Sequence, residues 1–335
     1  MLFEVKGLTK VYGKRTVLDL ADLALEEGMV YALQGPNGSG KTTLLEILSL
    51  LMPPTTGKVL YKGSKIDFAA KNAPKVRRDI VMVQQNPVLF STTVYKNLDF
   101  GLGVRRIQRR ERMKRIEESL EPVGMRPFMK AEAHRLSGGE THRVAIAQAL
   151  VCSPRVMFFD EPTSDVDLEN QVVIEKIIED INAQKKMSIV FTTHNPDQAY
   201  RLSQGVISLF EGRKVSSAFE NIFKGVVVVG QDGRIRCLIQ GRIALPVKTE
   251  KRGGIRIYID PRKARIAKAG EGLQERKTPK GKIVQLTDQE SHVRVAVDLG
   301  FTLHILMPKE QFISASLGLG EEAEVSFAED AIQVF

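Results

Sequence analysis

Two hydrophobic patterns alternate along the first two-thirds of the chain and predict its fold. Short apolar runs bounded by polar residues indicate buried strands, and longer segments without such runs indicate helices. The runs that predict strands are Met29–Leu33, Ile80–Val83, Arg155–Phe159 and Ser188–Thr192. Helices are predicted at Thr43–Leu51, Thr141–Cys152 and Glu169–Asn182. Strands that alternate with helices predict an α/β domain with a largely parallel sheet.

Two other regions complete this first domain. Residues 2–6 and Val17–Leu25 alternate in polarity, and Lys58–Tyr61 resembles a short strand, so we predict further strands near the N-terminus. The segment from Thr93 to about Leu150 lacks strand signals. It is therefore predicted to form a helical subdomain.

The pattern changes beyond about Phe223. Short β-like runs recur, turns separate several of them, and no helical period competes strongly. The predicted strands are Gly225–Val229, Arg234–Ile239, Ile255–Ile259, Lys282–Leu286, His292–Asp298, Leu303–Met307, Glu324–Phe327 and Ala331–Phe335. We therefore predict an α/β domain over residues 1–222 and an all-β, barrel-like or sandwich domain over residues 223–335.

A glycine-rich loop lies between the first buried strand and the helix that follows it. The loop fits the pattern G-x-x-x-x-G-K-[ST], whose backbone N–H groups bind phosphate at a helix N-terminus. Lys41 supplies charge for the β- and γ-phosphates, and the Thr42 hydroxyl suits Mg²⁺. A plain glycine-rich turn is the weaker interpretation in this strand–loop–helix context. The nucleotide-binding candidates in this loop are Gly35, Pro36, Asn37, Gly38, Ser39, Gly40, Lys41, Thr42 and Thr43.

Acidic and polar residues end two other predicted strands. Asp160 and Glu161 follow one buried strand, and His194 ends the next. ATP hydrolysis needs charge neutralisation, metal placement and an oriented water. Because adjacent strand residues point to different sides, we expect distinct roles for the two carboxylates. A satisfied core histidine is the alternative interpretation of His194.

The motifs occur along the chain in an order that is typical of one protein family. Residues 2–222 resemble the ATP-binding subunit of an ABC transporter, with an α/β P-loop ATPase domain and a helical subdomain. The motifs that carry the resemblance are the phosphate loop Gly35–Thr42, Gln85, the signature motif Leu136–Glu140, the pair Asp160–Glu161, the D-loop 162–167 and His194.

The resemblance implies a role for each motif residue. Glu161 is expected to polarise the attacking water, and Tyr12 is expected to stack on the adenine of ATP, although a turn-packing tyrosine is the alternative. Gln84 stands where an aromatic is common, so the alignment at Gln85 is open to a shift of one. The implied catalytic residues are Lys41, Gln85, Glu161 and His194. The implied Mg²⁺-binding residues are Thr42, Gln85 and Asp160.

The signature motif is expected to act across a dimer. The resemblance implies that two copies of the chain close head to tail around two ATP molecules. Ser137, Gly138, Gly139 and Glu140 would then face the nucleotide that the other copy holds. Glu140 departs from the commoner Gln and adds a negative charge, and His142 stands where a second Gln often occurs.

Composition and charge restrict the partners. The 335 residues carry a net charge of +9, which is modest for this length and does not favour nucleic-acid binding. No apolar run approaches the roughly 18 residues that span a bilayer, and no signal peptide is evident. Cys152 and Cys237 are far apart and are interpreted as inert thiols in a reducing cytosol. We therefore expect a subunit at the cytoplasmic face of the membrane, attached through an integral-membrane permease that also receives solute from an extracytoplasmic binding protein.

The β-rich extension suggests which system the subunit serves. It resembles the small β-barrel modules of molybdate and tungstate importers and of related sugar and polyamine importers. Arg234–Lys282 carries 15 basic and 4 acidic residues, a balance of +11, so we hypothesise an oxyanion ligand, with Lys282, Thr287 and Ser291 as contributors. A barrel that merely packs against its twin is the alternative. A soluble ABC ATPase acting on DNA or ribosomes, and an anion sensor with a vestigial ATPase, are the rival functions.

Overall fold

The computed structural model describes residues 1–69, 73–215, 221–230, 233–269, 278–289, 292–328 and 330–335. The chain divides into two compact units, Met1–Lys214 and Val215–Phe335. The domain boundary predicted at residue 222 lies a few residues beyond this division.

A six-stranded sheet forms the centre of the first unit. Its strand order is β10-β9-β3-β8-β7-β6, and the pairs β9–β3, β3–β8, β8–β7 and β7–β6 are parallel, as predicted. Every residue of β7 and β8 is buried, which agrees with the apolar run that forms all of β7 and the centre of β8. The strands as far as residue 215 are β1 (Phe3–Tyr12), β2 (Arg15–Leu25), β3 (Val30–Gln34), β4 (Thr56–Tyr61), β5 (Ser64–Lys65), β6 (Ile80–Val83), β7 (Val156–Phe159), β8 (Ser188–Thr193), β9 (Gly205–Phe210) and β10 (Arg213–Val215).

A second, antiparallel sheet is formed by the N-terminal strands, in the order β2-β1-β4-β5. The Phe3 ring packs against Tyr61 in β4, with centroids 5.1 Å apart, and against Phe158 in β7, 5.9 Å away. These contacts give the two sheets a shared hydrophobic core.

The predicted helices of this unit are present with shifted ends, and two further helices of the described chain, Ala73–Asp79 and Pro196–Leu202, were not predicted. The helices are α1 (Lys41–Leu48), α2 (Ala73–Asp79), α3 (Val94–Val104), α4 (Arg109–Leu120), α5 (Gly138–Leu150), α6 (Leu168–Lys185) and α7 (Pro196–Leu202). Helix α1 ends before the predicted Leu51, because Leu50 adopts a left-handed conformation and Leu51 N donates to Glu46 O at 2.9 Å. This is a Schellman ending, here made by a leucine and therefore without a sequence signal.

The predicted helical segment contains α3, α4 and α5 together with two short 3-10 turns. Leu98, Ile116 and Val144, one from each helix, are fully buried in one cluster with residues of the central sheet. The segment is therefore a helical subdomain built on the same core as part of that sheet, as predicted.

The second unit consists of two five-stranded antiparallel sheets. Their orders are β13-β12-β11-β14-β20 and β15-β19-β16-β17-β18, and both contribute to one core. The elements are β11 (Ile222–Val229), β12 (Ile235–Ile239), β13 (Ile243–Pro246), β14 (Gly254–Ile259), β15 (Ala264–Lys268), β16 (Lys280–Gln289), β17 (His292–Asp298), β18 (Thr302–Pro308), α8 (Lys309–Ala315), β19 (Glu322–Phe327) and β20 (Ile332–Val334).

Three of these elements were not predicted, namely β13, β15 and the short helix α8. Strand β15 has the sequence ARIAK, in which only Ile266 has a strong intrinsic β preference, and it pairs with β19. The β-rich class of the unit is nevertheless as predicted.

Candidate functional site

The glycine-rich loop joins β3 to α1. Gly40 is the N-cap of α1 with φ of 99°, and a Cβ at this position would approach Leu18 Cδ2 to 2.6 Å. Glycine therefore allows the sharp entry into the helix. The residues that begin α1, including Lys41 and Thr42, line a cleft of about 500 Å³. A helix N-terminus at a cleft favours anions.

Lys41 is held inside the loop. Its side chain is 5% exposed, and Nζ donates to Gly35 O at 2.8 Å and to Pro36 O at 3.3 Å. The same Nζ lies 3.7 Å from Glu161 Oε1. The ammonium group is thus fixed at the cleft between backbone carbonyls and a carboxylate, where it can meet a phosphate oxygen.

Asp160 follows β7 and is buried. Its Oδ1 accepts from Thr42 Oγ1 at 3.2 Å and from Thr192 Oγ1 at 2.7 Å. Burial and then the charge of Asp160 raise the pKa of Glu46 on α1. The hydroxyl and carboxylate oxygens of Thr42 and Asp160 are hard donors, and the surplus negative charge beside them suits a small divalent cation.

Glu161 has a left-handed backbone, with φ of 42°. Its N–H donates to Thr192 Oγ1 at 2.7 Å, and its Oε2 lies 3.3 Å from His194 Nδ1. The two adjacent acids therefore have different partners, as expected, but a turn after β7 separates them rather than strand alternation. His194 is 65% exposed, so it is not a core histidine.

Tyr12 and Gln85 line the same cleft. The Tyr12 hydroxyl donates to Met52 Sδ at 3.1 Å, while Lys10 Nζ lies 5.2 Å from the ring centroid. About half of the Tyr12 side chain remains exposed. Gln85 Nε2 donates to Asp165 Oδ2 at 3.4 Å, and no described residue donates to its Oε1.

The signature motif lies at the start of α5. Ser137 is the N-cap, and it forms a capping box with Glu140, in which Ser137 N donates to Glu140 Oε2 at 2.8 Å and Glu140 N donates to Ser137 Oγ at 3.3 Å. A Cβ on Gly139 would overlap Asn170 of α6 at 2.1 Å. Within the described chain, the residues that line the cleft do not include the signature motif.

Comparison with known proteins identifies the family. Residues 18–164 match the family model for ABC transporters. The chain is 40% identical over 213 residues to the tungstate uptake system ATP-binding protein TupC of Peptoclostridium acidaminophilum, covering 64% of this chain and 96% of the relative. It is 30% identical to the molybdate/tungstate import ATP-binding protein WtpC of Pyrococcus horikoshii, covering 100% of both chains.

The chain belongs to the ABC transporter family. The first unit also resembles a dimeric ATP-binding cassette solved in a post-hydrolysis state with ADP and Pi, with a TM-score of 0.59 and 30% identity over 64% of this chain and 97% of that one. This ABC protein is an ATP-binding ATPase, as the motif order predicted. Among the described residues, no helix is both long and apolar enough to cross a membrane.

Arg15 of this ABC ATPase is a cleft residue that the sequence did not reveal. It lies directly opposite Tyr12 in the β1–β2 hairpin, and its Nη2 is 4.0 Å from the Cβ position of Gly38. The short turn after Tyr12 was the available signal, because a hairpin at this turn places Arg15 opposite Tyr12. The cleft therefore receives a guanidinium group in addition to the Lys41 ammonium.

His142 is a second residue whose contact was not foreseen. It is buried on α5, and Nδ1 lies 3.3 Å from Pro162 O. Because a carbonyl oxygen only accepts, a hydrogen bond at this contact requires the proton on Nδ1. The histidine thus links the signature helix of the ABC ATPase to the loop that follows Glu161.

Proposed function

We propose that this chain powers the import of tungstate or molybdate through a separate membrane permease. The observation that carries this proposal is the full-length similarity to a molybdate/tungstate import ATP-binding protein, because it includes the second unit as well as the ATPase unit. The similarity of the first unit to a tungstate uptake protein supports the same solute class. Import of a sugar or polyamine is the alternative.

Mg²⁺ binding is proposed for Thr42, Asp160 and Gln85. The 3.2 Å contact between the Thr42 hydroxyl and the Asp160 carboxylate supports it, as does the location of Gln85 on the same cleft. Such ions are usually held by one or two carboxylates or hydroxyls together with water and phosphate oxygens. When bound, Mg²⁺ neutralises charge on the β- and γ-phosphates of ATP.

The remaining roles follow from position and chemistry. Lys41 is proposed to bind the β- and γ-phosphates and Tyr12 to stack on the adenine. Glu161 would accept a hydrogen bond from the attacking water and so polarise it, and His194 would donate a hydrogen bond to the γ-phosphate. The 3.3 Å contact between His194 Nδ1 and Glu161 Oε2 supports a joint action of the last two, and no described residue hydrogen-bonds His194 Nε2.

The active form is proposed to be a head-to-tail dimer. The exposed start of α5 supports this, since no described residue outside the chain neighbours of Gly138 and its own helix backbone lies within 4 Å of the Gly138 Cβ position. Ser137, Gly138 and Gly139 of one copy would then meet the nucleotide that the other copy holds. The dimeric cassette among the solved relatives supports the same stoichiometry.

Permease docking is proposed for a groove of about 570 Å³ beside Gln84. Val88 is 89% exposed and Leu51 is 63% exposed, and both line this groove with Pro87 and Met82. An exposed apolar patch with a polar rim suits a short helix of a partner. We accordingly propose a peripheral position at the cytoplasmic face of the cell membrane, with a solute-binding protein on the other side.

An oxyanion ligand of the second unit stays a hypothesis. Lys282 is exposed on β16, and Thr287 on the same strand accepts from Gln285 Nε2 at 3.3 Å. Ser291 lies outside the described residues. Positive charge and hydroxyl donors are what a tetrahedral anion requires. Calorimetry of the full chain with tungstate, molybdate and sulfate tests this, and no heat of binding at millimolar anion would reject it.

Uptake measurements test the transport proposal. Cells that lack this chain are supplied with the parent or with Lys41→Ala, and uptake of labelled tungstate, molybdate and spermidine is compared. We expect the parent alone to restore oxyanion uptake. Normal oxyanion uptake without the chain, or restoration of spermidine uptake only, contradicts the proposal.

A further inference from the structure

The side-chain amide of Gln198 contacts both the loop that carries Glu161 and the loop that carries His194. Gln198 on α7 is 3% exposed. Its Oε1 accepts from Thr193 Oγ1 at 2.6 Å, and its Nε2 donates to Thr163 Oγ1 at 2.7 Å and to Glu175 Oε1 at 2.8 Å. All three contacts are short enough to restrain the atoms they join.

The two threonines lie within two residues of the reacting groups. Thr193 directly precedes His194, and its hydroxyl also accepts from Asn195 N at 3.0 Å, which closes the turn around His194. Thr163 lies two residues after Glu161. The planar side-chain amide of Gln198 is therefore hydrogen-bonded to both loops.

Glu175 fixes the direction of this amide. The carboxylate is buried on α6 and also accepts from Arg201 Nη2 at 2.7 Å and from Gln171 Nε2 at 3.1 Å. Because a carboxylate only accepts, the NH₂ group of Gln198 must face Glu175, and its oxygen must face Thr193. The amide thus has one orientation that satisfies every partner.

We propose that Gln198 is a positioning residue for ATP hydrolysis, which holds the loop of Glu161 and the loop of His194 in fixed relation through Thr163 and Thr193. The inference rests on the proposed roles of Glu161 and His194. Small displacements of reacting groups reduce rates strongly, because the chemical step depends on geometry more steeply than binding does. A residue that served only to fill the core would instead affect stability and leave kcat unchanged.

Steady-state kinetics of Gln198→Ala test the proposal. We expect kcat to fall by about 10- to 100-fold, as for misplaced catalytic groups, while KM and the Kd for ATP stay near the parental values. Gln171→Ala is the matched control, because it removes a hydrogen bond to the same Glu175 carboxylate but none to either loop. Thermal melting of each variant reports folding independently of turnover.

An exchange of the two side chains gives a sharper test. Gln198→Glu alone places two carboxylates together, whereas Glu175→Gln/Gln198→Glu restores one carboxylate and one amide beside Arg201. Threonine hydroxyls can donate as well as accept, so the exchanged pair can still hold both loops. We expect the double variant to regain much of the kcat that Gln198→Glu loses.

The outcomes separate this inference from the proposed function. Glu161→Gln is measured in parallel. If Glu161→Gln is inactive while folded Gln198→Ala matches Gln171→Ala in kcat, the inference alone is wrong. If Glu161→Gln stays active, the proposed role of Glu161 is wrong and the inference falls with it. Two results together support the inference. Gln198→Ala lowers kcat at constant KM, and Glu175→Gln/Gln198→Glu regains much of the kcat that Gln198→Glu loses.

Discussion

At the residue scale, the backbone of Glu161 determines what its carboxylate can reach. A non-glycine residue with positive φ is uncommon and concentrates at functional sites. Here the left-handed turn directs the side chain towards Lys41 Nζ and His194 Nδ1, while Asp160 one residue earlier faces Thr42. The two neighbouring acids thereby contact different residues of the cleft lining, Asp160 at Thr42 and Glu161 at Lys41.

Glu161→Gln is expected to bind ATP and to lose most turnover. The amide keeps the shape of the side chain but cannot polarise water as a base, and loss of an acid–base group commonly lowers rates by about 10²–10⁴. Nucleotide-binding titrations and phosphate release measure the two properties separately. Glu179→Gln, the same change on an exposed face of α6, is the control, and near-parental hydrolysis by Glu161→Gln would reject its role.

Glu175 gives a prediction about acid stability. Burial alone would raise the pKa of Glu175, but hydrogen bonds from Gln198, Arg201 and Gln171 outweigh it and hold the pKa below its ordinary value of 4.5. The stabilisation is therefore fully present above pH 4.5 and is lost as the pH falls through the lower folded-state value.

Urea unfolding across pH 3 to 7 measures this effect. The free energy of unfolding of the parent should exceed that of Glu175→Gln by a constant amount near neutral pH. The difference should shrink as the pH falls below about 4.5. A difference that is unchanged or larger at low pH would contradict the assigned direction of the pKa shift.

At the element scale, the start of α5 is tightly constrained on one side and open on the other. The capping box and the Gly139–Asn170 contact hold it against α6, and His142 ties it to the Pro162 carbonyl. Glu140 completes this cap, because its carboxylate accepts from Ser137 N. The Glu140 charge is thus used within the helix cap.

Mixing two inactive variants is expected to restore activity if this helix end acts across a dimer. Ser137→Arg blocks the signature surface, and Lys41→Ala disables the phosphate loop. When equal amounts of the two variants associate at random, half of the dimers contain one copy of each. Such a mixed dimer keeps one site in which an intact phosphate loop faces an intact signature motif. ATPase assays of each variant alone and of the mixture, at concentrations that support dimers, measure the rescue. Absence of rescue counts against the head-to-tail arrangement.

Sequence reasoning succeeded where the hydrophobic pattern or a motif determines the local structure. The buried runs of β7 and β8 and the loop before α1 are strong local signals. The end of α1 at Leu50 and strand β15 carry no such signal, since a tertiary environment or a pairing partner decides them. The contacts of Gln198 were equally out of reach, because they join residues 5 to 35 positions apart.

At the scale of the whole molecule, each of the two units has its own hydrophobic core. The ATPase unit carries the cleft and, on another part of its surface, the groove that includes Val88. Under the proposed roles of the cleft and the groove, hydrolysis and permease docking would use different surfaces of one unit. Variants that separate the two activities are expected to exist.

Val88→Glu is expected to abolish transport while basal ATPase activity survives. The substituted charge would face the apolar helix proposed to dock in the groove, and the side chain is so exposed that folding should be unaffected. Solute uptake in cells and ATPase activity of the purified chain are compared. Val104→Glu, on an exposed valine outside the groove lining, is the control. Equal loss of both activities would indicate unfolding.

The Thr192 hydroxyl connects the two acidic residues that follow β7. It donates to Asp160 Oδ1 and accepts from Glu161 N, so one atom on β8 is bonded to both acidic residues. A shift of Thr192 would therefore move the Asp160 carboxylate and the Glu161 backbone together. Under the proposed roles of Asp160 and Glu161, we expect release of the ion and loss of the hydrolytic geometry to occur together rather than in succession.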